Sequence, residues 1–120
     1  MKEYRLTDME AKFAEIIWEN EPIPSGSLVK LCESELKWKK STTYTMLKRL
    51  EGKGIFNNHN GVVVSLIKRD EFSAEQSKQF VEETFAGSLP RFLTAFTRTK
   101  KLSDEEIDML QKLINEHKEE

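Results

Sequence analysis

WKKSTTYTMLKRLEGK, residues 38–53, carries the spacing of an amphipathic helix beginning at about Ser41. At roughly 100° per residue, Thr43, Met46, Leu47 and Leu50 share one arc. Ser41, Thr42, Tyr44, Thr45, Lys48 and Arg49 fill the opposite side, and the one carboxylate, Glu51, sits at the flank. Lys39 and Lys40 lie just ahead. A helix face that only meets water usually mixes charge signs, whereas hydroxyls and cations together suit a polyanion whose groove edges offer donors and acceptors. This helix is therefore the expected DNA-reading element, with the rest of the chain as its support.

The flanking segments supply that support. Upstream, Thr7 and Glu10 form a capping box, followed by Met9, Phe13, Ile16 and Ile17 at helical spacing, with Trp18 covering the edge. This first helix should end near Asn20, because Pro22 and Pro24 follow. Ser25 is the expected cap of a second helix running to about Leu36, with Leu28, Leu31 and Cys32 as its inner stripe. Trp38, in the short link to the third helix, reads as a core anchor. Downstream, the Gly52-Lys53-Gly54 breaker ends the third helix, and the period changes. Residues 55–59 and 62–67 are strand-like and enclose Asn60-Gly61, a strong hairpin signal because both turn positions need positive φ. Three helices followed by a hairpin is the order of a winged helix, with His59 as an exposed turn residue.

Residues 72–120 are expected to hold three more amphipathic helices. Ser73 opens the first, with Ala74, Ser77, Phe80, Val81, Thr84 and Phe85 on one face and Gly87 at its end. Ser88-Leu89-Pro90 starts the second, with Leu89, Phe92, Leu93 and Phe96 in line, before a polar break at residues 97–101. A second capping box, Ser103 with Glu106, opens the third; Leu102 and Ile107 are placed for a hydrophobic staple, and Ile107, Leu110, Leu113 and Ile114 form a stripe that Met109 widens. So short a segment rarely folds alone. Its stripes are expected to pair with the same segment of a second chain in a two-fold dimer, the alternative being packing back onto the first domain. The expected class is mainly α: a winged helix-turn-helix domain at residues 1–71 and a helical dimerisation region at 72–120.

Composition narrows the function. The chain has 120 residues, net charge −2 and one cysteine, Cys32, which excludes an internal disulfide and a cysteine-cluster metal site. No apolar run approaches the ~18 residues of a membrane span, and the polar start does not read as a secretion signal, so a cytoplasmic protein is expected. Charge is unevenly placed: residues 1–70 carry +2, residues 71–120 carry −4, and residues 37–53 alone carry +5. Positive charge thus concentrates where phosphate contact would need it. An enzyme is not expected, since there is no nucleophile–base pair and no Gly-rich phosphate loop, and His59 and His117 are isolated. No cofactor or metal is expected either.

The opening LTDMEAKFAEIIWEN, the PSGSLVKLC helix, KKSTTYTMLKRLEGKG with its hairpin, and the acidic helical tail resemble the penicillinase-repressor family. The most specific parts are L-T-x-x-E…I-I-W and K-S-T-T-Y-T-x-L-x-R-L. The resemblance implies a homodimeric winged-helix repressor on an inverted-repeat operator in double-stranded DNA. Ser41, Thr42, Tyr44 and Thr45 would face the major groove, and Lys40, Lys48 and Arg49 would serve phosphates or base edges; Lys39, from its place just ahead of the helix, is expected to add a phosphate contact. Phe80, Phe85, Leu89, Phe92, Phe96, Ile107, Leu110, Leu113 and Ile114 would form the dimer contact. In antibiotic-sensing members a membrane sensor-protease lifts repression by triggering a cut before a phenylalanine; the matching bond here is Ala95–Phe96, where those members carry Asn before the Phe. The cysteine pairs of copper-sensing members are absent. The wing is short and uncharged, so the third helix is expected to do most of the binding. Two other readings stay open: a winged-helix regulator gated by a small ligand between aromatic side chains, and a protein–protein module that does not bind DNA.

Overall fold

Helix α1 (Asp8–Asn20) starts at the expected capping box: Thr7 Oγ1 accepts from the Glu10 N–H at 3.2 Å, and the Glu10 carboxylate accepts from the Thr7 N–H at 2.8 Å. Its buried stripe is Glu10, Phe13, Ala14 and Ile17, flanked by Ile16. Met9, expected in this stripe, is 39% exposed, because it lies off that line at the end of the helix. These positions come from a computed structural model that describes residues 4–119. The chain divides into two units, Met1–Gln79 and Phe80–Glu120.

In the first unit, strand β1 (Ile23–Pro24) leads directly into α2 (Ser25–Leu36). Ser25 is the first helical residue rather than the expected cap; Pro24 holds the cap position, where no side-chain hydrogen bond is made. Leu28, Val29 and Cys32 are buried, and Leu31 is partly buried. Lys37 closes α2 in the left-handed conformation (φ 57°), its N–H bonded to the carbonyls of Cys32 and Glu33. Trp38 then turns its ring onto Phe13, 5.2 Å between centroids, so it is the expected anchor.

Helix α3 (Lys40–Gly52) buries Thr43, Met46, Leu47 and Leu50, the four residues assigned to its inner arc. At its end Gly54 takes φ 79°, the Gly54 N–H bonds the Glu51 carbonyl, and the Ile55 N–H bonds that of Leu50. This is a Schellman stop, with buried Ile55 packing over it. Strands β2 (Phe56–His59) and β3 (Val62–Ser65) pair antiparallel across Asn60 (φ 53°) and Gly61 (φ 82°), the hairpin read from Asn-Gly. Strand β1 adds to β3 through Ile23↔Val63, giving the order β1-β3-β2. Phe56 and Val63 point inward onto a core shared with Phe13, Ile17, Leu28, Leu47, Leu50 and Ile55.

Helix α4 (Arg69–Phe85) begins four residues before the expected Ser73, with Asp70 and Glu71 in its first turn, where the helix dipole favours carboxylates. The early start has a packing reason: Phe72 is buried, with its ring 5.4 Å from Trp18 and 5.6 Å from Tyr4. Arg69 reaches Glu15 at 2.7 Å and Glu19 at 3.7 Å on α1. The Trp18 Nε1–H donates to the Ile67 carbonyl at 3.0 Å.

In the second unit, α4 stops at Ala86 (φ 51°) and Gly87 (φ 78°). Helix α5 (Leu89–Thr99) is capped by Ser88, whose hydroxyl accepts from the Arg91 N–H. It runs past Thr97, so the polar break is shorter than expected. Helix α6 (Asp104–Lys118) starts at the Ser103–Glu106 capping box read from the sequence. The result is a mainly helical winged helix followed by further helices, as expected.

Candidate nucleic-acid interface

The outer side of α3 is open. Lys39, Lys40, Ser41, Thr42, Thr45, Lys48 and Arg49 are exposed and Tyr44 is half-buried. Lys39 occupies the N-cap position without a side-chain bond, and no acidic residue sits in the first turn. The first-turn N–H groups and the two lysines together make a positive end that suits phosphate. Lys39, Lys40 and Lys48 have no carboxylate partner among the described residues. Thr42, Thr45 and Arg49 follow one another at i, i+3 and i+7, so they line one side of the helix.

Two members of the predicted set are already engaged within the protein. The Tyr44 hydroxyl donates to Ser25 Oγ at 3.2 Å, which ties α3 to the start of α2. Arg49 has one guanidinium nitrogen 3.9 Å from the Glu10 carboxylate. Glu10 is the one fully buried carboxylate among the described residues, at 1% exposure. Its other partner is Lys53, at 3.1 Å, and Lys53 also donates to the Arg5 carbonyl at 2.8 Å. Burial pushes the Glu10 carboxyl up, but the Thr7 N–H and the Lys53 ammonium outweigh it and hold the group below the usual range. Sequence reading counted Lys53 as local positive charge and Glu10 only as a cap. The missed signal was spacing: Glu10, Phe13 and Ile17 fall at i, i+3 and i+7, which puts the carboxylate on the buried face.

The wing stands beside α3. Glu51 accepts from the Asn58 N–H at 3.4 Å, and a groove of about 560 Å³ runs between Tyr44, Lys48, Glu51 and Asn58. His59 is exposed beside the turn, as expected, 3.4 Å from the Asn60 amide. Glu21 braces the base of the hairpin by accepting from the Ser65 N–H (2.8 Å), the Ser65 hydroxyl (2.7 Å) and Lys68 (3.3 Å). Cys32 is wholly buried, and burial pushes its thiol up to about 11. Among the described residues no His, Cys, Asp or Glu group could hold a metal ion, and no helix is long and apolar enough to cross a membrane.

The residues assigned to pairing lie on the second unit, and many are open. Phe80, Leu89, Phe96, Ile107, Met109, Leu113 and Ile114 are exposed, Leu113 at 62%. Phe85, Phe92 and Leu110 are half-buried. The phenylalanines also meet each other: Phe92 lies 5.5 Å from Phe85 and 6.1 Å from both Phe80 and Phe96. Phe92, Phe96, Leu102, Met109 and Leu110 line an apolar groove of about 330 Å³. Ala95 and Phe96 sit inside α5 rather than in a loop.

Comparison with known proteins agrees with this architecture. A family model described as "Penicillinase repressor" matches residues 6–116. The penicillinase repressor of Bacillus licheniformis is 28% identical over 118 residues, covering 95% of this chain and 92% of the relative. The methicillin resistance regulatory protein MecI of Staphylococcus aureus (strain Mu50) is 23% identical over 118 residues, covering 95% and 96%. That of Mammaliicoccus sciuri is 22% identical over the same length, with the same coverage.

Proposed function

The chain belongs to the penicillinase-repressor family of DNA-binding transcriptional repressors, which are not enzymes, and from that premise we propose how it binds and lets go of its operator. Two copies pair through their C-terminal helices and set two winged helices on an inverted repeat in double-stranded DNA. Lys39, Lys40 and Lys48 neutralise phosphates, which supplies salt-dependent affinity. Ser41, Thr42 and Thr45 meet base edges, with Tyr44 bonded to Ser25 to hold the helix at its depth; a good base contact adds about 1–3 kcal/mol of discrimination. Arg49 stands at the far end of the same stripe, 3.9 Å from the Glu10 carboxylate, and holds no phosphate in this reading. One small head binds weakly, and joining two makes the second engagement effectively intramolecular.

The observation that carries this reading is the outer side of α3: exposed hydroxyls and three lysines without carboxylate partners among the described residues. The run of exposed apolar residues on α5 and α6 supports pairing of the tails, since patches of that extent usually meet a partner. Release follows when that pairing is lost. A cut at Ala95–Phe96, triggered by a membrane sensor-protease, would divide α5 and remove α6 from the pair. The groove lined by Phe92, Phe96, Met109 and Leu110 favours a second reading, in which a small apolar ligand loosens the tails without proteolysis. Footprinting on the region upstream of the protein's own gene tests the main reading. The expected result is a protected palindrome whose half-sites lie one helical turn or a multiple apart. No protection at low ionic strength would overturn it, and release by protease-free cell extract filtered of macromolecules would select the second reading.

A further inference from the structure

We propose that Glu10 is a positioning residue for DNA binding: it draws the Arg49 guanidinium onto α1 and so withholds one cation per head from the phosphate backbone. The inference rests on the reading that α3 faces DNA. Glu10 is buried, yet its carboxylate is shared by three groups: the Thr7 N–H, the Lys53 ammonium and, more loosely, Arg49 at 3.9 Å. Lys53 is fixed from a second side by the Arg5 carbonyl and is mostly enclosed, so it is the structural partner. Arg49 differs. It is half exposed, lies in line with Thr42 and Thr45, and has Glu10 as its one ion-pair partner among the described residues. A guanidinium in that place can serve either a phosphate or the carboxylate behind it, and planar bidentate anions are its best partners. Glu10 supplies a fixed negative charge that competes for it.

The consequence is a lower affinity for any duplex, whatever its sequence. Each neutralised phosphate adds about 0.9 to the slope of log K against log salt, equivalent to about eightfold in affinity at 0.1 M salt. A head with Arg49 withheld gives up that factor, which leaves a larger share of the protein free of random DNA.

The test is fluorescence anisotropy of the full chain on a random-sequence duplex across a series of KCl concentrations. E10Q keeps an acceptor for the capping box, since Gln also serves there, and removes the charge. The expected result is a slope steeper by about 0.9 per head in E10Q, unchanged in R49A, and back at the wild-type value in E10Q/R49A. A carboxylate that only held the fold together would lower thermal stability without steepening the slope, and that outcome overturns the proposal. So does a gain that survives in E10Q/R49A, which would assign the freed cation to Lys53, or a slope that R49A alone flattens. If E10Q does not fold, Glu10→Asp draws the charge back by one methylene and carries the same test, with partial steepening expected and none overturning the proposal. Failure of the parent reading looks different: Lys40→Ala with Lys48→Ala would then leave the wild-type slope untouched.

Discussion

Replacing Lys40 and Lys48 by alanine gives the sharpest test of how the repressor holds DNA. Three lysines per head, Lys39, Lys40 and Lys48, are exposed and lack a carboxylate partner among the described residues. On the proposed reading two heads neutralise six phosphates, and at about 0.9 per phosphate the slope of log K against log salt should be about −5.4. Between 50 and 200 mM salt the wild type should then lose affinity by a factor of about 2000. The double variant keeps one lysine per head, so its slope should fall to about −1.8 and its loss to about twelvefold. Neither side chain belongs to the core, so thermal stability should be unaffected. Anisotropy titrations at four or five salt concentrations measure both slopes on one labelled duplex. A double variant that keeps the wild-type slope would refute the placement of α3 against the backbone, however tightly it binds.

Four further outcomes follow from the same structure. Phe72→Ala should lower the unfolding free energy by about 3–5 kcal/mol, because the ring is buried against Trp18 and Tyr4; a denaturant melt showing less than about 1 kcal/mol would detach the first turn of α4 from the core. Acid should weaken the fold through Glu10 and Glu21: burial raises both carboxyls, but their hydrogen bonds and lysine partners outweigh it and leave both below 4.5 in the folded state. Their contribution is therefore complete above the unfolded value and is lost as pH falls through the folded one. Denaturant midpoints for wild type and Glu21→Gln should converge on acidification, and a gap independent of pH would count against the Glu21–Ser65–Lys68 brace. Cys32, with its thiol pushed up to about 11 by burial, should react with a disulfide reagent at pH 8 only as fast as the domain opens; immediate stoichiometric labelling would contradict its burial. Leu110→Asp with Leu113→Asp should yield monomers that bind operator weakly, and a two-chain species in sedimentation velocity would move the pairing surface elsewhere.

Local signals made most of the fold legible. Two capping boxes, at Thr7–Glu10 and Ser103–Glu106, start α1 and α6 where the sequence placed them, since each satisfies orphan donors with residues three apart. Asn60-Gly61 and Gly54 mark turns because positive φ is cheap only for such residues. Where the expectation missed, the local signal was silent. Lys37 takes the left-handed conformation without being Gly or Asn, driven by the tertiary need to bring Trp38 onto Phe13. Strand β1 is two residues long, too short for any alternation to be seen, and exists because β3 offers it a free edge. The sequence puts the start of α4 too late because residues 68–71 are all charged; the apolar reason for an earlier start, Phe72 under Trp18, is a contact between distant parts of the chain.

The candidate interface shows the same division at the level of charge. Periodicity identified which side of α3 faces outward, and the burial of Thr43, Met46, Leu47 and Leu50 matches it residue for residue. Counting charges along residues 37–53 gave +5, but a count assumes that every cation is available. Lys53 is not, because Glu10 lies 43 positions away in sequence and 3.1 Å away in space. Arg49 is shared with the same carboxylate. On the proposed reading, the positive charge left to meet DNA is carried by the lysines at the start and middle of α3, where phosphates would flank a helix entering a groove by its N-terminal half. On the proposed reading, Glu10, the one fully buried carboxylate among the described residues, leaves the binding charge toward the end of α3 that carries Ser41, Thr42 and Thr45, so the side chains proposed to read bases and those proposed to hold phosphates engage together.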